Sequence, residues 1–138
     1  MPLHYTAIAV ASVLQFIFGA IWYSALFGKL WGEIHGFDTL SKETQEKMMS
    51  EMGPYYGIQF IVTLVTTIVL AIFMANLPED WNPYGLAFFF WIGFMVPAQI
   101  SAVIFGGTPR QWIVKKIAIQ AGAALGCLQI AATVLHFL

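Results

Sequence analysis

The chain has 138 residues, of which 59% are hydrophobic and 9% are charged, and its formal net charge is -1 at pH 7. Soluble domains are normally about one quarter charged, so this chain cannot cover a water-exposed surface, and its charge balance leaves no basic surface for nucleic acid. The composition indicates an integral membrane protein whose apolar side chains face lipid, so the lipid bilayer is its expected partner.

The first apolar run extends from about residue 4 to residue 27 and has no Lys or Arg ahead of it. At a helical rise of about 1.5 Å per residue, this length crosses a hydrocarbon core of roughly 30 Å. A secretory signal peptide has a basic start and a shorter apolar core. We therefore interpret the run as a retained transmembrane helix.

Residues 28–53 form the sizeable polar segment of the chain and hold most of its charged side chains. Ser41 is the predicted N-cap of a short amphipathic helix over about residues 41–52. Met48, Met49 and Met52 cluster on one side of it, and we interpret them as apolar anchors rather than soft-metal ligands. The segment is predicted to lie on the cytoplasmic membrane surface.

Two further uncharged runs, about residues 55–77 and 83–105, are each long enough to cross a bilayer. Inside the later run, Pro97 lacks a backbone N–H and its ring crowds the carbonyl of Gly93, which predicts a kink. The kink has two interpretations that the sequence leaves open. It is either a hinge that lines a cavity or a static packing bend.

The fourth span is predicted over about residues 112–137, after a turn in which Thr108 is the expected N-cap and Pro109 the first helical residue. Ala118, Gly122 and Gly126 recur every four residues and share one face. Small residues at this spacing allow another helix to approach closely, so the three predict a packing seam. The partner helix could belong to the same chain or to a second copy.

All six basic side chains fall on one side of this four-span arrangement, and they are Lys29, Lys42, Lys47, Arg110, Lys115 and Lys116. Because cytoplasmic connections collect Lys and Arg, both termini are predicted to lie outside the cytoplasm. Aromatic and basic residues near the span ends are predicted to occupy the membrane interfaces. These residues are Trp22, Tyr23, Trp31, Trp81, Trp112, Lys115 and Lys116.

The spans contain no ionisable side chain at mid-depth, which disfavours ion-coupled transport. The sequence also has no nucleophile with a base and no paired carboxylates within a span, so we expect neither an enzyme nor a bound cofactor or metal. What remains is uncharged polarity, which either joins helices or lines a polar cavity. The candidate cavity residues are Gln15, Gln59, Thr63, Gln99 and Gln129.

Two functions remain open on these features. The first is a self-associating helical bundle with a structural or accessory role in the membrane. The second is an oligomeric pore or facilitator for a neutral or weakly selective small solute. A pore requires a continuous polar cavity, whereas a bundle pairs its amides between helices.

Four segments rich in aromatic residues and glycine form a recognisable pattern: IWYSALFGKLWGE, MGPYYG, FFFWIGF followed by Pro97, and FGGTPRQW followed by IAIQAG. In these segments the chain resembles the small bacterial membrane proteins of the domain of unknown function 1761 family. The resemblance covers nearly the whole chain. It implies an all-α integral membrane protein with four transmembrane helices in the bacterial cytoplasmic membrane, and it implies no assigned activity.

Overall fold

The computed structural model describes residues 3–138, and its regular structure is helical. Four helices are long and apolar enough to cross a membrane: the first span Tyr5–Leu26, the second span Gly53–Ala75, the third span Pro83–Phe105 and the fourth span Arg110–Phe137. Two shorter helices, Gly28–Ile34 and Lys42–Ser50, connect the first span to the second. The structure thus confirms the all-α fold with a short helix between the first two candidate membrane spans.

Polar side chains at the helix starts explain where two of these helices begin. The Ser41 hydroxyl accepts a hydrogen bond from the backbone N–H of Thr44 at 3.2 Å, which confirms the predicted N-cap. The Asn82 side chain accepts one from the N–H of Tyr84 at 2.8 Å. Pro83 follows Asn82 directly, at a position where a helix needs no backbone N–H.

The start of the fourth span differs from the prediction. Thr108 is not an N-cap, because its hydroxyl is buried without a hydrogen-bond partner in the described part of the chain. Pro109 has an extended backbone, with φ of -56° and ψ of 138°, and is therefore not the first helical residue. The span begins instead with a tight turn over Arg110–Trp112, which the N–H of Trp112 closes onto the Pro109 carbonyl at 2.9 Å.

The first and third spans each contain one wide turn, in which the backbone hydrogen bond joins residues five apart instead of four. These turns cover Trp22–Leu26 and Trp91–Met95, so each begins at a tryptophan. The later one contains Gly93 and ends just before Pro97, at the position of the predicted kink. Pro97 has no N–H to offer the preceding turn, and a wide turn is one way in which a helix accommodates that loss.

The fourth span lies against all three others and has its most extensive contact with the first. Neighbouring spans run antiparallel. Gln15 contacts Cys127, while Trp22, further along the first span, contacts Ile119, which precedes Cys127. The same reversal relates the first span to the second and the third to the fourth. The chain is therefore an up-down-up-down bundle.

Small and aliphatic side chains fill the space between the spans, and the main buried cluster contains Ala11, Leu70, Leu86, Ala87, Leu128, Ala131 and Ala132. Larger apolar rings point outward, such as Phe94 at 73% exposure and Phe105 at 87%. In water, each such ring would forgo about 1.5–3 kcal/mol of burial free energy. In lipid this cost vanishes, so the outer surface suits contact with a bilayer.

The polar connection after the first span and the turn after the third lie at the same end of this bundle, which we call the basic end. All six Lys and Arg residues lie there or in the first turns of the fourth span. Glu79 and Asp80 lie in the connection at the opposite end. The structure thus places all six basic residues at one end, as the sequence predicted, while the side that faces the cytoplasm stays a prediction.

Candidate functional site

Three successive backbone carbonyls of the fourth span, residues 119–121, each accept a hydrogen bond from a side chain of another span. Trp22 of the first span donates its indole N–H to the first carbonyl at 2.9 Å. Gln99 of the third span donates its amide to the second at 3.4 Å, and Trp91 donates its indole N–H to the third at 2.7 Å. We call the three accepting carbonyls, those of residues 119–121, the carbonyl triplet. It joins three of the four spans.

The glycines of the predicted packing seam lie beside the carbonyl triplet. A Cβ added at Gly122 would come within 2.8 Å of the Trp22 ring, and one added at Gly126 within 2.4 Å of the Phe18 ring. Only glycine leaves room for these rings, so the seam packs against the first span of the same chain. The rings of Phe18 and Trp22 also contact each other, with centroids 5.5 Å apart.

Ala118 does not share this packing. Its side chain is exposed, so within one chain it lies outside the contact with the first span, and its place in a packing seam stays a prediction. The repeat of four residues advances the face by about 40° at each step, so a row of such residues turns slowly around the helix. At Ala118 the row has left the face that meets the first span.

Gln15 forms a buried polar contact between spans, with only 3% of its surface exposed. Its amide donates to the Thr67 hydroxyl of the second span at 2.7 Å and to the Ala11 carbonyl at 3.1 Å. Thr67 in turn donates to the Thr63 carbonyl at 2.7 Å. The Cys127 thiol of the fourth span lies 3.6 Å from the Gln15 carbonyl, so this contact reaches three spans.

The five candidate cavity residues do not form one group. Gln129 donates to the Tyr84 carbonyl at 3.2 Å, towards the end opposite the basic end. Gln59 is exposed and bonds to Thr63 of its own helix at 3.4 Å. Gln99 has a buried amide oxygen that finds no partner within residues 3–138. The amides are thus spread over separate contacts between different spans.

A pocket of about 480 Å³ opens at the basic end, between the helix Gly28–Ile34 and the turn that joins the third and fourth spans. We call it the basic-end pocket. Its volume lies within the usual range of small-ligand sites, roughly 300–1,000 Å³. Its polar lining comes from Glu33, His35, Thr108 and Lys116, together with the ring of Trp112. The sequence analysis did not predict this pocket, because Glu33, His35 and Thr108 lie in connections that come together only in the folded bundle.

Aromatic rings surround the basic side chains at this end. The Lys116 ammonium lies 5.8 Å from the Trp31 ring centroid, and Lys115 lies 5.2 Å from the Trp112 ring. Trp31 also packs on Tyr23, with centroids 4.9 Å apart. Such cation–π contacts orient the ammonium groups without neutralising them. Trp81, at the other end, is 47% exposed.

Some of these residues had no role in the sequence predictions. The sequence predictions assign no role to Trp91 or Phe18 and place Trp22 at the membrane interface, whereas in the structure all three contact the fourth span. One sequence signal could have indicated their role. An indole N–H inside a membrane-spanning helix needs a hydrogen-bond acceptor, which a neighbouring helix can supply. Residues 3–138 contain no group of three or more His, Cys, Asp or Glu side chains that could hold a metal ion.

Comparison with known protein families gives a match over nearly the whole chain. The model of the family described as "Protein of unknown function (DUF1761)" matches residues 6–136. No curated protein and no solved structure matches the chain.

Proposed function

The chain belongs to the DUF1761 family, whose function is unknown, and we propose that it is a structural or accessory component of the bacterial cytoplasmic membrane without enzymatic activity. In this role it forms a helical bundle whose polar side chains hold its own spans together. The observation that carries the proposal is the pairing of buried amides and indoles across the spans, above all Gln15 with Thr67 and the carbonyl triplet with its three donors.

Self-association is the second part of the proposal. Since Gly122 and Gly126 are covered by rings of the first span, copies of the chain would have to meet through another face. The third span is the least buried of the four and carries large exposed rings such as Phe94, so it is the face that we propose. A solution mass above the 15.3 kDa of one chain, measured by light scattering with the detergent subtracted, would support this part.

One observation favours a second candidate, an oligomeric pore for a neutral or weakly selective small solute. The amide oxygen of Gln99 is buried without a partner among the described residues. A buried acceptor of this kind costs free energy unless a water or a solute reaches it. In a pore, Gln99 would face a path that such molecules follow.

Matched substitutions separate the two candidates. Gln15→Met keeps the volume but removes the bond to Thr67, so the bundle proposal expects a loss of about 1 kcal/mol in the free energy of unfolding. Gln59→Met is the control, because Gln59 is exposed and bonds within its own helix. Unfolding by SDS in mixed micelles measures both.

Measurements of solute flux test the pore candidate directly. In proteoliposomes, the accessory role expects glycerol and urea to pass no faster with the protein than without it. Flux that depends on the protein and falls in Gln99→Met would establish the pore instead. Equal stability of Gln15→Met and Gln59→Met would remove the main support for the bundle proposal.

A further inference from the structure

Two opposite charges line the basic-end pocket without neutralising each other. Glu33 and Lys116 are both partly buried and both contribute to its wall. Neither forms an ion pair with any residue in the described range 3–138, and Lys116 is held only by the Trp31 ring at 5.8 Å. Partial burial of a charge costs free energy that an opposite charge on a ligand would offset. The wall of this pocket therefore contains one anionic and one cationic group.

Thr108 supplies a third, independent feature. Its hydroxyl oxygen is buried but makes no hydrogen bond within the described chain, although Thr108 lines the same pocket. Buried hydroxyls nearly always have a partner. A hydrogen-bonding group of a ligand would provide one once the Thr108 hydroxyl, which is closed to solvent, turns towards the pocket. His35 adds a ring whose Nδ1 already contacts the Trp31 carbonyl at 2.8 Å, which fixes its orientation.

The position of the pocket restricts what can reach it. Its walls include Gly106–Pro109, the turn between the end of the third span and the start of the fourth. It therefore lies where the spans leave the hydrocarbon region, at the level of lipid headgroups. The nearby ammonium group of Lys115 lies over Trp112, as expected for a side chain at a membrane interface.

We propose that the basic-end pocket binds a zwitterionic group with a phosphate and a primary amine, supplied by the headgroup of a phosphatidylethanolamine lipid. Lys116 binds the phosphate, Glu33 accepts hydrogen bonds from the ammonium, and the Thr108 hydroxyl donates to a phosphate oxygen. A purely anionic headgroup would meet the Glu33 carboxylate, and a cation alone would meet Lys116. Binding at this pocket does not depend on the accessory role proposed above.

Three headgroups test the assignment. The full-length protein is placed in nanodiscs or detergent and offered phosphatidylethanolamine, phosphatidylcholine or phosphatidylglycerol with identical acyl chains, and bound lipid is counted by native mass spectrometry. Choline has no N–H and glycerol has no amine, so we expect phosphatidylethanolamine to be retained about tenfold more than either. Equal retention of all three, or a preference for phosphatidylglycerol, would overturn the proposal.

Substitutions then assign the groups. Glu33→Gln should abolish the preference over phosphatidylcholine, and Lys116→Gln should reduce retention of phosphatidylethanolamine about tenfold. Lys115→Gln and Glu51→Gln are matched controls outside the pocket wall. An unchanged headgroup preference in Glu33→Gln, or an equal effect from the two controls, would contradict the assignment.

Thr108→Val separates binding from stability. Since the hydroxyl makes no bond within the described chain, its replacement by a methyl group should leave the bundle equally stable or more stable. Retention of phosphatidylethanolamine should nevertheless fall. A variant that keeps both stability and retention would show that Thr108 does not touch the ligand. Competition by soluble phosphoethanolamine identifies the source, because a lipid site resists it whereas a site for the free compound does not.

Discussion

At the scale of single residues, two glycines decide how closely the first and fourth spans approach. Gly122 and Gly126 leave just enough room for the rings of Trp22 and Phe18, which would meet any added Cβ at 2.8 Å and 2.4 Å. In lipid, close packing of this kind replaces the hydrophobic effect as the force between helices. A side chain added at either glycine should therefore lower the free energy of unfolding and not simply rearrange its neighbours.

Gly126→Leu tests this contact. The added side chain must displace the Phe18 ring and push the two spans apart, so the free energy of unfolding should fall by about 1–3 kcal/mol. Gly57→Leu is the control, because a Cβ at that helical position has no atom within 4 Å among the described residues apart from its chain neighbours and the adjacent backbone of its own helix. Unfolding in mixed micelles measures both variants. Adding Phe18→Ala to Gly126→Leu should recover part of the loss, since the two sites share one space.

The same variants distinguish packing within a chain from packing between chains. If Gly126→Leu lowered the solution mass while its free energy of unfolding stayed unchanged, the glycines would join separate copies. We expect the reverse, a lower stability with the mass of the parent protein.

At the scale of elements, the polar helix Lys42–Ser50 has no buried residue of its own. It is fixed mainly through Gln45, whose amide donates to the carbonyls of Phe37 and Leu40 at 2.9 Å and 3.2 Å. Met48 and Met49 remain 44% and 56% exposed. A helix with one apolar side and one charged side gains free energy when the apolar side enters the headgroup region.

Spin labels measure this placement directly. In a Cys127→Ala background, a nitroxide at Met48→Cys should be more accessible to oxygen, which concentrates in lipid, than to a water-soluble nickel complex. The label at Glu43→Cys, on the opposite side of the same helix, should show the reverse. The reason is that a helix lying in the interface has one wet side and one lipid side. Equal exposure of both labels to nickel would place the helix in water.

The helices also show which structural features can be predicted from the sequence. Uncharged runs of about twenty residues predict membrane helices, because only a helix satisfies its own backbone in lipid. The N-cap at Ser41 was equally predictable, because its hydrogen bond joins residues only three apart. The wide turn at Trp22 could not be predicted in this way, nor could the basic-end pocket. These depend on contacts between residues far apart in the chain, such as Trp22 with Ile119, which spacing within one segment does not encode.

At the scale of the whole molecule, the basic side chains are distributed unequally between the two ends of the bundle. Its six basic residues lie at one end and Glu79 and Asp80 at the other. Basic flanks stay on the cytoplasmic side when a membrane protein inserts. Every span therefore favours the same orientation, and no connection of the described chain opposes it. Because the spans pack antiparallel, the orientation of one span determines that of the other three. Reversing one span would break its contacts with the others.

Cysteine labelling tests that choice. In the Cys127→Ala background, a membrane-impermeant maleimide should label Asp80→Cys in intact spheroplasts of the bacterial host, because the acidic connection is expected to face outward. Glu46→Cys, in the polar helix at the basic end, should react only after lysis. The second variant is the matched control for the first, since both replace an exposed carboxylate. Labelling of Glu46→Cys in intact spheroplasts would reverse the orientation of the bundle and move the basic-end pocket to the outer leaflet.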